Sequence, residues 1–455
     1  MPKQKRSNPR IIGHCSKPTG WTLVKGYILG DSNAAQVHLC RRQSCRVCGS
    51  PALSPCIDLG EQYLQGSFVK PGQRRPPLRR LPTSLVRCDP MRDENACGLL
   101  QMEYTVPPSI LYSSYWYRSG TNQTMRDHLG GVVADVCEFL GERPRLVLDI
   151  GCNDGTLLSN YPAEVEKFGV DPSDIASQVE LDNTVVICDL FPSHELSEAL
   201  GERKFDIITA IAMFYDLESP VEFARSIAAH LAPQGIWVFE MSYMPTMLKK
   251  GSYDTICHEH LEYYSLAVIE RILSMAQLKL VKAELNDSNG GSLRAFATHQ
   301  SNFKYPRPGE DLARLREQEF DLALDSDRPY RHFQDRINVH REELGQLLWG
   351  LKRDGKRIHV YGASTKGNTI LQWCGLDNRV IDFAAERNPE KFGALTLGTD
   401  IPIISEAESR SLRPDYYLVL PWHFRKEFVA RERQTLESGT SLIFPLPTIE
   451  VLSHP

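Results

Sequence analysis

No run of roughly 18 uninterrupted apolar residues occurs in the 455-residue chain, which argues against a membrane-spanning helix. The amino-terminal MPKQKRSNPR lacks the apolar segment of a secretory signal, so a cytoplasmic protein with no membrane attachment is expected. Cysteine is sparse. The 12 residues amount to about 2.6% of the chain, against roughly 8–10% in a disulfide scaffold, so reduced thiols are expected. The 31 glycines and 29 prolines together make about 13%, well below the roughly 25–30% of low-complexity sequence. A basic excess is also missing. The formal net charge is −5, which gives no global attraction to nucleic acid or anionic lipid and favours a small-molecule partner. What is present is 42% hydrophobic and 24% charged residues, ordinary for globular proteins, in a length that predicts two to four domains.

Lys3, Lys5, Arg6 and Arg10 mark a basic tail over 1–39 that reads as solvated and disordered. A loop-rich thiol module over 40–108 follows, and four prolines in VKPGQRRPPLRRLP (69–82) exclude a helix there. The amphipathic MRDHLGGVVADVCEFL (125–140) opens a domain over 109–300. In it the short apolar runs RLVLDIG (145–151), VEKFGVD (165–171), TVVICDL (184–190), KFDIITAIA (204–212) and GIWVFEM (235–241) alternate with helical segments, the rhythm of a parallel sheet. Residues 301–355 are charged and helical in period, a helical connector. A second α/β unit over 356–455 carries RIHVYGAS (357–364), the helix KGNTILQWC (366–374), VIDFAAE (380–386), DYYLVLP (415–421) and TSLIFPL (440–446).

Cys45-x-x-Cys48 places two thiols on one tight turn, as zinc ribbons do with half of a tetrahedral site. Cys88 and Cys97 supply the second pair if DPMRDENA loops out, because the ion fixes ligand distances and angles rather than the length of chain between ligands. With sulfur at all four positions, Zn2+ would be structural and closed to substrate. The alternative reading makes these thiols buried small hydrophobes. Cys40 and Cys56 are spare thiols available for substitution.

VLDIGCNDGTLL (147–158) reads as a strand running into Asp149, Gly151, Asn153 and Gly155 and then into a helix. The order D-x-G-x-x-x-G is not the G-x-G-x-x-G of dinucleotide folds, and its carboxylate and amide groups suit a cationic, adenosine-bearing ligand better than a diphosphate. Asp171, ending the second strand about 20 residues beyond the loop, is placed to accept both ribose hydroxyls. The arrangement resembles the class I S-adenosylmethionine (SAM) methyltransferases, a Rossmann-like sheet. That resemblance implies that the loop holds the methionine moiety. It also implies that CDLF (188–191) edges the adenine, Asp189 towards its amino group and Leu190 as apolar wall. AIAMFYD (210–216), with Ala212 and Met213, would wall the methyl donor.

SYDTICHEHLEYYS (252–265) follows the fifth strand and concentrates His258, Glu259, His260, Tyr263 and Tyr264. It is not H-E-x-x-H, since Glu262 stands at the second position where a zinc protease needs histidine. CRVCGS, CIDLGEQYLQGSF, YWYRSGTNQTMRDHL (115–129), VLDIGCNDGTLL, DTICHEHLEYYS and NGGSLRAFATH (289–299) occur in the order found in the sugar C-methyltransferases that act on 4-keto-deoxy nucleotide sugars, as in the tetronitrose pathway. This resemblance spans residues ~45–450. It implies a zinc-binding amino-terminal module, a central SAM domain and a carboxyl-terminal α/β domain enclosing the substrate. It also implies His260 as general base, with Glu259, Tyr115 and Tyr117 beside it. If the segment is extended, His258 points the same way as His260 and is the second candidate, with Glu259 opposite. The chain departs from the family at Cys257, often Tyr there, and in the wide Cys88–Cys97 spacing.

VYGASTKGNTI (360–370) runs strand to glycine turn to helix without the G-K-[ST] of a Walker loop. Its helix start, with Ser364, Lys366 and Asn368, is suited to an anion, unless the glycine merely tightens a βα turn. With Tyr361 and Asn289 these are the expected contacts to a nucleotide sugar, taken as dTDP-linked, and RNPEKFG (387–393) and PWHFRKEF (421–428) are rim contacts. The expected protein is a SAM-dependent C-methyltransferase with structural zinc, monomeric or weakly homo-oligomeric, that methylates beside a ketone through an enolate. O- or N-methylation by the same fold is the rival, and a non-catalytic nucleotide-sugar-binding or zinc-mediated interaction protein is the reading from another class.

Overall fold

The computed structural model describes residues 21–23, 39–70, 72, 80–107, 111, 117–305 and 309–453. Most of the basic tail, the middle of the Pro/Arg-rich stretch and Tyr115 lie outside them.

The central sheet has seven strands: β1 (Leu146–Ile150), β2 (Glu166–Val170), β3 (Thr184–Ile187), β4 (Phe205–Ile211), β5 (Leu231–Ser242), β6 (Leu278–Asn286) and β7 (Ser292–His299). Their order is β3-β2-β1-β4-β5-β7-β6. β1 to β5 run parallel, and β7 is antiparallel to both neighbours. β1 is buried at every position, as expected of a strand covered on both faces, and the edge strand β3 alternates instead. Helix α1 (Gln123–Leu140) lays Leu129, Val132, Val133, Val136 and Leu140 on one face of this sheet, against Val147, Ile207, Ile236, Val238 and Phe296. Asn122 caps its start by accepting from the Thr124 N–H, and Gly141, at φ 74°, ends it.

The expected helix after the glycine loop is absent. Turns and a short 3-10 helix, Leu158–Asn160, take its place. Pro162 offers no N–H and pushes Tyr161 out of the helical region, so a helix starting near Thr156 has no room to form a second turn.

The amino-terminal module is built on a four-stranded antiparallel sheet of Leu53–Gln62, Leu81–Cys88, Leu100–Met102 and, at its edge, Glu262–Tyr263 from the His-Glu-His segment. The carboxyl-terminal unit holds six strands, parallel except for the last, Glu450–Leu452. Phe68–Val69 of the first module pairs with Leu395–Thr396 of the last. The segment read as a connector forms two helices, Glu310–Leu322 and Arg328–Arg353. The longer of these sends Tyr330, Phe333, Ile337, Leu344 and Leu348 into one core with Ile57, Leu59 and Leu85 of the first module and Ile358, Val360 and Leu418 of the last. Among the described residues no helix is long and apolar enough to cross a membrane.

Gly398, at φ +80°, sits where a Cβ would lie 1.9 Å from the Tyr63 ring. Gly398→Ala is therefore expected to cost about 1–3 kcal/mol by combining a strained backbone with a forced separation of the two terminal modules. Thermal denaturation would read this as a lowered melting temperature, and Tyr63→Ala in the same background should recover part of it.

Candidate active site and zinc centre

The Sγ atoms of Cys45, Cys48, Cys88 and Cys97 all lie within 4.8 Å of one another. Two of the pairs, Cys45–Cys97 and Cys48–Cys88, are 3.4 Å apart. A tetrahedral Zn2+ with bonds of about 2.3 Å places its sulfurs about 3.8 Å apart, so the thiols fit the ion with small adjustments. The eight residues between Cys88 and Cys97 loop out through two turns, closed by Arg92 and Asp93 N–H on the Asp89 carbonyl (3.1 and 3.2 Å) and Ala96 N–H on Asp93 (2.9 Å). Met91 at the loop's tip is exposed. Backbone N–H groups of Val47 and Cys97 point at the sulfurs of Cys45 and Cys88, each at 3.4 Å, a donor set that favours thiolates. Cys40 and Cys56 are not in the group.

A cavity of about 520 Å3 opens between the three modules at the carboxyl ends of the central strands, where parallel sheets bind ligands. Asp149, Gly151, Asn153, Asp171, Asp189, Leu190, Ala212 and Met213 line one end of it. Gly151 has φ +75°, and a Cβ there would approach the Met213 side chain to 3.2 Å. The Asp171 carboxylate accepts the Asn153 N–H (2.9 Å) and the Ser173 N–H (2.8 Å), which fixes the glycine loop against β2. Burial raises the Asp149 carboxyl to about 7, although the Thr209 hydroxyl donates to it at 2.6 Å. Asn153 holds the Tyr117–Ser119 segment over the loop, its amide donating to the Tyr117 carbonyl and its oxygen accepting from the Ser119 N–H, both at 3.0 Å. Carboxylates with no lining lysine or arginine in the glycine loop suit a sulfonium, an ammonium and ribose hydroxyls. Gly155 is a correction: it does not line the cavity, and its missing Cβ makes room for Val179, 2.8 Å from where that atom would be.

The His-Glu-His segment is not extended. The His260 N–H closes a turn on the Cys257 carbonyl (3.2 Å), which carries both Glu259 and His260 into the cavity and His258 away from it. His258 is correspondingly no second base. Its Nδ1 meets the Gln65 amide oxygen at 2.7 Å and its Nε2 the Thr83 hydroxyl at 3.2 Å, inside the amino-terminal module. His260 Nδ1 lies 2.7 Å from the Thr255 carbonyl, an acceptor only, so Nδ1 carries the proton and Nε2 the lone pair. Burial, reinforced by the charge of Lys366, lowers the His260 imidazole to about 3 and keeps it neutral. The Tyr215 ring packs on it with centroids 4.2 Å apart. Burial raises Glu259 to about 7, and the Thr365 hydroxyl donates to it. Gly66 admits that carboxyl: a Cβ there would stand 2.0 Å from Glu259 Oε1. Tyr117 lines the cavity half-exposed.

On the carboxyl-terminal side, Ser364 caps the helix Thr365–Trp373 by accepting from Gly367 N–H at 3.1 Å. Lys366 donates to the Asn289 carbonyl at 2.8 Å, and these three residues line the cavity. Tyr361 and Asn368 do not. Tyr361 is fully buried and stacked on Tyr417 at 4.0 Å, because the last residue of a strand covered on both faces turns into the core. Asn368 lies on the buried face of its helix and donates to the Gln65 carbonyl at 2.5 Å, tying the terminal modules together. Both rim segments contribute, through Arg387, Asn388 and Lys391 and through His423, Phe424 and Glu427.

Two lining residues, His128 and Glu240, lie within quoted segments but were given no role there. His128 Nε2 meets Glu240 Oε1 at 2.6 Å, and Glu240 also accepts from Arg294 Nε (2.8 Å) and Asn286 (3.0 Å). Burial would raise this carboxyl, but His128 and Arg294 hold it below the ordinary range. A glutamate ending the apolar strand GIWVFEM was the available signal.

A doubly wound sheet of order 3-2-1-4-5-7-6, with an acidic glycine turn facing a neutral imidazole across one cavity, defines a class I methyltransferase. Family models match along the chain: "Putative zinc binding domain" over 45–112, "Methyltransferase domain" over 125–283 and "C-methyltransferase C-terminal domain" over 287–447. The C-methyltransferase NovU of Streptomyces niveus is 29% identical over 414 residues, 90% of this chain and 96% of that protein. Together these matches support a SAM-dependent C-methyltransferase in which a zinc-binding module is joined to these two domains. A tRNA U34 carboxymethyltransferase of Pseudoalteromonas translucida is 32% identical over 143 residues, 30% of this chain and 42% of that one. Similar solved structures include the CcbJ methyltransferase of Streptomyces caelestis, at 14% identity and TM-score 0.31 over 41% of this chain and 100% of that chain. Another is magnesium protoporphyrin IX methyltransferase of Synechocystis with bound SAM, at 16% identity and TM-score 0.29 over 38% and 79%.

Two measurements check these centres. Cys88→Ser is expected to lower bound zinc, by elemental analysis, from about one ion per chain and to lower thermal stability with it. Asp171→Ala removes a charged acceptor and should weaken SAM binding about 10–100-fold by calorimetry, as should Gly151→Val, while circular dichroism stays unchanged.

Proposed function

We propose that this C-methyltransferase acts on the carbon beside the ketone of a 4-keto-deoxy nucleotide sugar, dTDP-linked, through an enolate. The observation that carries the proposal is the His260 imidazole, neutral, oriented by the Thr255 carbonyl and presenting Nε2 to the cavity. An acceptor that already owns a nucleophilic oxygen or nitrogen has less need of so defined a base, whereas a C–H does not react until its proton is removed. The ketone acidifies that C–H. SAM supplies the methyl group as an electrophile on sulfur. His260 Nε2 takes the proton; the carbon then forms its bond to the methyl as the sulfur–methyl bond breaks, and the ketone is restored. Glu259, held partly protonated near neutral pH by burial, is suited to donate to the oxygen as charge gathers there, with Tyr117 and Tyr115 as further hydroxyl donors. Ser364, Lys366 and Asn289 would bind the nucleotide portion, and the glycine loop, Asp171 and Asp189 the cofactor.

The decisive test is incubation with SAM and a panel of 4-keto nucleotide sugars, watching by mass spectrometry for one added methyl. Failure on every keto-sugar beside turnover of a hydroxyl or amine acceptor would replace this reading with O- or N-methylation. His260→Ala should lose about 10²–10⁴-fold in rate and lose deuterium exchange at the α-carbon with SAM affinity intact, and His258→Ala should keep the exchange chemistry.

The pH dependence follows from signs. His260 is lowered, so its base-competent form persists down to about pH 3, and the rate should not fall near 6.5 as for an ordinary histidine. Glu259 is raised, so its donor form prevails below about pH 7 and is lost above it. The kcat/KM profile is expected to decline on the alkaline side near 7, and Glu259→Gln, a donor that does not titrate, should remove that decline.

A further inference from the structure

Arginine seldom lies wholly inside a protein unless its charge and donors are met. Arg46, between the cysteines of the zinc turn, has a side chain with 0% exposure. One terminal nitrogen donates to the Gln101 amide oxygen (3.1 Å) and the Met102 carbonyl (2.8 Å), and the other to the Thr105 hydroxyl (2.6 Å). Its Nε faces Glu262 Oε1 at 3.6 Å, too far for a hydrogen bond, and Glu262 is equally buried, so that desolvation pushes its carboxyl well above the ordinary range while the Arg46 charge draws it down. Arg42 and Glu218 complete the group, with Arg42–Glu218 at 3.2 Å and Arg46–Glu218 at 3.5 Å, so two guanidinium groups face two carboxyl groups.

Glu262 stands two residues beyond His260, directly opposite Gln101 in the antiparallel pair. The N–H groups of Leu261 and Glu262 both donate to the Tyr215 carbonyl, at 2.8 and 3.0 Å, and the Met102 N–H donates to the Leu261 carbonyl at 2.9 Å. Glu262 Oε2 accepts the Leu217 N–H at 3.3 Å. The Tyr215 ring is the one packed on His260. A shift of the Glu262 strand therefore moves both the imidazole's own backbone and the ring that confines it.

We propose that Arg46 is a positioning residue for His260, acting through Glu262, so that the zinc turn sets the place of the base as well as stabilising its own module. The inference rests on the proposed role of His260. Cys45 and Cys48 fix where the arginine starts, and its planar fork fixes where Gln101, Met102 and Glu262 sit. A misplacement of about 1 Å is enough to cost on the order of 10²-fold in rate.

The test uses Arg46→Met, Glu262→Gln and the double variant Arg46→Met/Glu262→Leu in the full chain. Each single variant is expected to lower kcat about 10–100-fold, leaving KM for the sugar and SAM affinity within about 3-fold and bound zinc near one ion per chain. Replacing the buried pair by apolar groups should restore the melting temperature of the double variant but not its kcat. Histidine-labelled protein, examined by 15N NMR without substrate, should hold His260 as a single Nδ1–H tautomer in the wild type and as a tautomer mixture in Arg46→Met. The His260 signal is identified by its loss in His260→Gln. Wild-type kcat and tautomer in Arg46→Met would overturn the inference, as would a double variant that regains melting temperature and kcat together. If a single variant fails to fold, the double variant decides. If the wild type methylates no keto-sugar, the functional reading fails, and the NMR comparison still decides the place of Arg46.

Discussion

The Tyr215 carbonyl is the point on which the site turns. By accepting the N–H groups of Leu261 and Glu262 together, it binds the loop after β4 to the turn that carries His260, and the Thr255 carbonyl then orients the imidazole within that turn. Two backbone acceptors thus decide which nitrogen of His260 is basic and which way it faces. Around them the sheet, the amino-terminal module and the carboxyl-terminal unit exclude water, and that exclusion holds the imidazole neutral.

Charge is divided across the cavity. The end formed by the glycine loop and the ends of β2 and β3 offers carboxylates, whereas the far end offers Lys366, Arg387, Lys391 and Arg431, several already paired with Glu386, Glu406 or Glu427. The acidic end suits a cationic methyl donor, and on the reading proposed above the basic end would take the anionic part of the acceptor. Pre-pairing of the arginines limits the cost of holding them beside a cavity while no anion is there.

Much of this was legible in the sequence because its signals are local. The apolar runs became strands because burial on both faces, complete in β1, selects mainly apolar residues, and the four zinc-ligand thiols were legible because metal geometry ignores chain length. The failures came where one residue's direction depends on distant partners. Alternation assigned His258 to the side of His260, but a turn closed by one backbone hydrogen bond reversed it. Tyr361 and Asn368 belong to the right strand and helix, yet contacts to Tyr417 and Gln65, far away in sequence, hold them off the cavity. Pro162 ended a helix that the glycine loop alone suggested. Arg46 was hidden inside a metal motif, where the cysteines drew the reading.

The short pairing of Phe68–Val69 with Leu395–Thr396 makes the chain a closed circuit around its own cavity. Such a clasp ties the first module to the last across the mouth of a site that the central sheet floors. A molecule seated inside would be touched by residues of all three modules at once. Its binding energy is accordingly distributed over the entire fold, so that a bound ligand delays the melting of even the remote zinc turn. Cutting the central domain free would strip Glu262–Tyr263 of the neighbouring strand Leu100–Met102, and with it the support of the turn that carries the imidazole.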